Sequence, residues 1–169
     1  DWEKNETAFF YNCCNLTRKQ YADGSGYNYA YNPRKWLEIR ADPKDAITVY
    51  SYNNAGQLTN VNYATDADVG YFHDTLGRMT SRVDAAGSWS WSYDGDSQRV
   101  TNETLHSLGD GGATSVLSAV SYSYHSNTFE LASVSLDVDH KTEYYWDHGR
   151  LTNVSWQVGT DRRAVRYEY

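Results

Sequence analysis

The chain has 169 residues, enough for one ordinary domain. A formal net charge of −7 argues against nucleic-acid binding, since phosphate contacts require clustered Lys and Arg, and no nucleic-acid partner is expected. No window of about 18 apolar residues exists, so no membrane insertion is expected either. Hydrophobic residues make up 40% and charged residues 22%, which allows a packed protein. Its apolar content is unusual in kind: 16 Tyr and 6 Trp stand against 4 Phe and 1 Met. Each Tyr or Trp ring carries a polar tip that needs a partner, and such rings suit sheet faces. Two prolines, Pro33 and Pro43, exclude a Pro-rich stalk. With no initiator Met and no signal-like start, the chain is read as a processed or excised segment.

The first predicted strand is the β-prone run Thr7–Tyr11. Behind it lie the two cysteines, Cys13 and Cys14. Vicinal cysteines bridge each other only with strain. They are read as small turn residues, with an intermolecular bridge as the alternative; a metal site lacks a second pair of ligands.

From there an internal period governs the chain. Aromatic doublets with one residue between recur at Tyr29/Tyr31, Tyr50/Tyr52, Tyr71/His73, Trp91/Tyr93, Tyr122/Tyr124, Tyr144/Trp146 and Tyr167/Tyr169, after an earlier unit ending at Tyr11. The second positions are spaced 20, 21, 21, 20, 31, 22 and 23 residues apart, so one insertion interrupts a period near 21. Residues two apart share one face of a strand. The doublets therefore read as a ladder of rings that ties successive hairpins together.

A turn follows each doublet. Asn53 and Gly56, Asp74 and Gly77, Asp94, and Asp147 and Gly149 occupy its turn-forming positions. Asp or Asn opens the turn by bonding its own downstream backbone, and Gly three residues later supplies the positive φ of a type I turn with a G1 bulge. The turn after Trp146 is one residue shorter and that after Tyr93 one longer. Arg/Gln-Leu/Met-Thr-x-x-Val then reads as the return strand. A second turn, clearest at Asp84 to Gly87, leads into Ser88-Trp89-Ser90-Trp91-Ser92-Tyr93, a strict alternation that is the strongest strand signal in the chain. The glycines within His106–Ser115 mark an excursion at the long spacing. No stretch holds a capped 3.6-residue period.

Signals for chemistry are weak. Asp66/Asp68, Asp94/Asp96 and Asp137/Asp139 are paired carboxylates, but they fall at turns and strand ends. The five histidines lack metal-ligand spacing, and no nucleophile motif or phosphate loop occurs. No catalytic residue, metal or cofactor is expected. Asn5, Asn15, Asn102 and Asn153 head N-x-S/T sequons, usable in a glycosylating host. Trp89 and Trp91, if exposed, would be the best platform for a sugar ring.

The run Tyr-Asp-x-x-Gly-Arg-Leu/Met-Thr resembles the YD repeat of Rhs, teneurin and insecticidal Tc-toxin proteins. His73–Val83 and Trp146–Val154 carry the resemblance best, then Tyr52–Val61; the units at Tyr31 and Tyr124 lack the Gly and Arg. The resemblance, over roughly residues 11–169, implies β-hairpins stacked side by side into a strip that in that family spirals into a hollow shell. The expected fold is all-β: tandem antiparallel hairpin repeats forming an extended, coiled sheet, as a single array over residues 1–169 with about eight repeats and an insertion loop near 105–115. The expected role is a non-enzymatic structural scaffold, extracellular or at the cell surface. Its partners would be further copies, paired head to tail through the terminal strands into a fibril, or the remainder of a longer YD-repeat chain. The alternatives are a segment of a larger toxin-encapsulating shell, or a surface that binds carbohydrate or another partner through its Tyr and Trp residues.

Overall fold

The computed structural model describes residues 6–108, 114–137 and 139–168. Among them there are fifteen strands and no helix. In chain order they are β1 (Ala8–Asn12), β2 (Asn15–Gln20), β3 (Gly26–Tyr31), β4 (Leu37–Ala41), β5 (Ile47–Tyr52), β6 (Leu58–Tyr63), β7 (Val69–His73), β8 (Met79–Asp84), β9 (Gly87–Tyr93), β10 (Val100–Leu108), β11 (Thr114–Tyr124), β12 (Leu131–Ser135), β13 (His140–Asp147), β14 (Arg150–Val158) and β15 (Asp161–Arg166). The order of strands in the sheet is their order in the chain, without a crossover. Short turns permit only this antiparallel arrangement, because a parallel neighbour needs a long crossover.

In six hairpins the aromatic strand pairs with its return strand through a bulge. Tyr31 faces Leu37 and Ala30 faces Ile39, so Glu38 is the extra residue. Tyr52 faces Leu58 and Ser51 faces Asn60, leaving Thr59. The same step leaves Thr17, Thr101, Ala132 and Thr152 unpaired in their hairpins. This bulge explains an oddity of the repeat. Leu58 and Val61 are three residues apart, which on a regular strand would point them to opposite faces. The extra residue restores parity, and Leu58 lies opposite Tyr52 while Val61 lies opposite Tyr50. Leu131/Val134 and Leu151/Val154 are placed in the same way against Tyr124/Tyr122 and Trp146/Tyr144.

The chain divides into two compact units, one reaching Phe72 and including Val83–Ala85, the other formed by His73–Arg82 and the residues from Ala86 on. In the first unit the hydrophobic residues buried are Val61 and Val69, which face each other across β6 and β7. Tyr29, Arg40, Thr48 and Tyr63 form one row across β3 to β6, with Thr48 buried. In the second unit the two sheet faces differ in chemistry. One carries Trp91, Tyr122, Val134, Tyr144 and Val154. The other carries the row Ser92, Asn102, Ser121, Ser135, Lys141, Gln157 and Arg162. No described side chain is completely buried, and the large apolar residues are mostly half-buried, covered by same-face neighbours on adjacent strands.

The excursion expected over His106–Ser115 is narrower in the fold. Leu105–Leu108 of β10 pair with Ser118–Thr114 of β11 around a further bulge, because Thr and Ser favour the extended ladder once glycine is left behind. The glycine-rich residues 109–113 lie outside the described residues.

Candidate functional site

The recurring turn and the bond that joins it to the next repeat form the most developed side-chain constellation in the molecule. In the unit at Asp74 the backbone closes with the Asp74 N–H donating to the Arg78 carbonyl and the Gly77 N–H donating to the Asp74 carbonyl. Asp74 Oδ1 accepts from the N–H groups of Leu76 (3.0 Å) and Arg78 (2.9 Å). Asn53 does the same for Ala55 and Gln57, and Asn32 for Arg34 and Trp36. One side-chain oxygen thus satisfies two turn amides, which is why Asp or Asn stands there.

Gly56 and Gly77 take φ of 85° and 84°, the left-handed conformation that closes the turn. The unit at Tyr31 lacks the glycine but keeps the geometry, because Lys35 itself adopts φ 64°. Phe129 takes φ 63° in the unit at Tyr124. At Asp147 the shorter loop is a two-residue turn, with His148 and Gly149 both left-handed and Asp147 paired with Arg150. At Asp94 the longer loop closes one residue later, from the Asp94 N–H to the Arg99 carbonyl. Gly87, after Asp84, serves close approach instead: a Cβ there would meet the His106 carbonyl oxygen at 2.3 Å.

The arginine after the turn reaches both ways. Arg78 pairs with Asp74 through Nε and a second guanidinium nitrogen, both 2.7 Å from Oδ2. Its remaining nitrogen donates to the carbonyls of Gly95 (2.6 Å) and Ser97 in the next turn, and its plane lies 4.6 Å from the Tyr93 ring centre. Burial works against the Asp74 carboxylate, but the Arg78 N–H and guanidinium outweigh it and hold the carboxyl below its ordinary value. Arg34 makes the equivalent reach, donating to the Asn54 carbonyl (3.0 Å) while lying over Trp36. The Arg missing from the motif position of that unit stands two positions earlier in the turn, a shift that motif spacing hides.

Successive hairpins are joined at the ring tips. The hydroxyl of Tyr31 donates to the Leu16 carbonyl (3.0 Å), Tyr52 to Leu37 (2.8 Å), Tyr93 to Met79 (2.6 Å) and Tyr124 to Val100 (2.8 Å). Trp146 donates through its indole N–H to Leu131 (2.9 Å). For Leu16, Leu37, Val100 and Leu131 the acceptor is the first aliphatic residue of the preceding return strand, next to the bulge, where the ladder is interrupted, and Met79 opens β8. Thr17 and Thr152, the bulged residues, donate to the carbonyls of Phe10 and Tyr145 across the same hairpins. Burial raises the hydroxyl pKa of Tyr52 and Tyr93 above the ordinary value, which keeps them as donors. His73, standing where a Tyr would be, leaves its Nδ1 buried with no hydrogen-bond partner.

The expected ring-on-ring ladder therefore takes another form. Within a hairpin the doublet faces aliphatics, as Tyr50 faces Val61 and Tyr144 faces Val154. Between hairpins the link runs through the polar tip. Rings do meet at Tyr27–Tyr29 and Trp36–Tyr52. Tyr71 is half-buried in β7, the Tyr167 N–H donates to the Thr152 carbonyl, and Tyr169 lies outside the described residues.

The other sequence-derived sites are spoken for or scattered. Trp91 donates its indole N–H to Glu103, which also accepts from Tyr122, and Trp89 lies under the Arg82 guanidinium at 5.2 Å. Both rings are half-buried instead of forming an exposed sugar platform. Of the paired carboxylates, Asp68 accepts from Asn62, Asp94 pairs with Arg99, and Asp137 accepts from the N–H groups of Asp139 and His140. Among the described residues no three His, Cys, Asp or Glu side chains are grouped to hold a metal ion. An open groove of about 650 Å³ is lined by Asp94, Arg99, Tyr122, Tyr124, His125 and Phe129. Asn15, Asn102 and Asn153 lie in β2, β10 and β14, and the sequon serine Ser155 is buried; Asn5 lies outside the described residues.

The fold and its repeated turn define an all-β hairpin-repeat protein, and solved structures with the same fold bear this out. A Photorhabdus luminescens Tc holotoxin pore structure matches at a TM-score of 0.70 and 14% identity, covering 95% of this chain and 9% of that one. The structure of TcdB2-TccC3 matches at 0.71 and 14%, covering 95% and 10%. A TcdB2-TccC3-TEV structure matches at 0.61 and 17%, covering 80% and 7%. The chain thus spans about a tenth of the length of these Tc chains or less. No protein-family model and no curated protein matches the sequence.

Proposed function

We propose that this chain is a non-enzymatic structural segment of a YD-repeat wall, part of an extracellular or cell-surface assembly built on the plan of the Rhs-type shells. The observation that supports this reading most is the repeated latch. The same hydroxyl- or indole-to-carbonyl bond joins hairpin to hairpin at five positions, and the conserving element is a polar contact between repeats instead of an enclosed core. Such a design extends by adding units, each contacting its neighbours. Likeness in fold to the Tc chains agrees with the YD-type turn motif read from the residues. The carboxylates of Asp94 and Asp137 are engaged in turns, which favours a scaffold over a catalyst.

Cryo-electron microscopy of the protein expressed from its whole reading frame tests the proposal. A continuous wall of hairpins with this segment inside it is the expected result. A compact enzyme domain docked on this segment, with activity lost when Asp94 or Asp137 is changed, would overturn it.

A second reading, assembly of separate copies into a fibril, draws on the edge strands. Every residue of β1 and β15 is exposed, and the outer edge of each would accept another strand. Sedimentation across a concentration series separates the two. Growth of the particle with concentration supports head-to-tail pairing between copies, and a single species at all concentrations sinks it.

A further inference from the structure

The hairpin joining β1 to β2 carries two thiols that the scaffold does not use. Asn12 pairs with Asn15, so Cys13 and Cys14 form the whole of a two-residue loop. Both are free and exposed. Their sulfurs lie 3.2 Å apart. Cys13 holds φ 56°, in the left-handed region that Lys35, Asp45, Phe129 and His148 also adopt.

We propose that Cys13 and Cys14 form a vicinal dithiol site that chelates trivalent arsenicals of the organoarsenic-oxide class. Three features select that ligand over others. A direct disulfide would need the sulfurs to close to about 2.05 Å in a strained ring. Inserting one bridging atom enlarges the ring and leaves the sulfurs near their present separation. Zinc asks for four ligands, with tetrahedral thiolates at about 2.3 Å, and no group of three ligating side chains is available here among the described residues. A trivalent arsenic centre is soft and takes two sulfurs, and its third bond goes to its own organic substituent, so the loop need supply nothing more. In the reaction two As–S bonds and two O–H bonds form as the As=O bond and two S–H bonds break. The oxygen leaves as water with both thiol protons, and no oxidant is consumed.

The test uses the intact chain, reduced and freed of reductant, with phenylarsine oxide as the probe. Mass spectrometry should show one arsenic adduct per chain, with both thiols protected from alkylation. The adduct should survive excess monothiol and come off with a 1,2-dithiol. Cys13→Asn, which suits the left-handed conformation, and Cys14→Ser should each keep the strand spectrum in circular dichroism. Each should lose about a hundredfold in affinity, because the second sulfur no longer binds intramolecularly. Wild-type protein that releases the probe to monothiol as readily as the variants would overturn the proposal. So would one thiol left open to alkylation, or disulfide-linked dimers in place of the adduct.

Discussion

At the level of single residues, the aromatic tip decides more than the aromatic face. Tyr52 packs its ring opposite Leu58 and gives its hydroxyl to Leu37 of the preceding repeat. Tyr52→Phe keeps the ring and orphans that carbonyl. It should lower the unfolding free energy by about 1–2 kcal/mol in a denaturant titration, with Tyr93→Phe behaving alike. His73→Phe should run the other way, neutral or stabilising by up to about 1 kcal/mol, since it removes a buried nitrogen with no partner. The same hydroxyls give the fold an alkaline limit. Burial raises the pKa of Tyr52, Tyr93 and Tyr122, so their contribution is complete below the ordinary tyrosine value of 10.0 and is lost as pH rises through the folded-state values. Ultraviolet titration should show these hydroxyls ionising after the exposed ones and together with loss of strand structure.

At the level of the element, the turn is a unit in which one residue's conformation can substitute for another's identity. Lys35 closes its turn at φ 64° without glycine. Lys35→Gly should therefore stabilise by about 0.5–1 kcal/mol, while Gly77→Ala at φ 84° should destabilise by about 1 kcal/mol or more; paired thermal melts check both. Asp74 adds a pH dependence of opposite sense to the tyrosines. Its carboxyl is depressed in the fold, so its contribution is present above the unfolded-state value and disappears as pH falls through the lower folded one. Asp74→Asn retains an oxygen for the amides of Leu76 and Arg78 but loses the ion pair. The variant should melt below the wild type at neutral pH, and the gap should close in acid.

At the level of the whole molecule, cohesion comes from contacts between chain neighbours. Val61 and Val69 are the hydrophobic residues buried among those described, so no central core ties distant strands together. Protection against hydrogen exchange should therefore be graded instead of uniform. Amides of β1 and β15, whose residues are all exposed, should exchange first. Those of β5–β6, which hold the buried Thr48 and Val61, and of β13–β14, paired over a long register, should exchange last. Uniform exchange of all strands at one rate would mean that the array unfolds as a single block.

The sequence by itself determined the period, the strands and the turns. Aromatic doublets, Asx residues and glycines act through local conformational preference, and local preference is written residue by residue. It also carried the turn at Asp147 and its shorter length, since loop length selects turn type. Three things were decided only by the tertiary structure. The bulge at Thr59 and its equivalents sets which face Val61 shares, because parity depends on pairing with a partner strand. The acceptors of the ring hydroxyls lie 14, 15 or 24 residues back, a distance that only the laid-down sheet makes short. Lys35 and Phe129 adopt conformations their own preferences resist, because the hairpins on either side fix the turn between them.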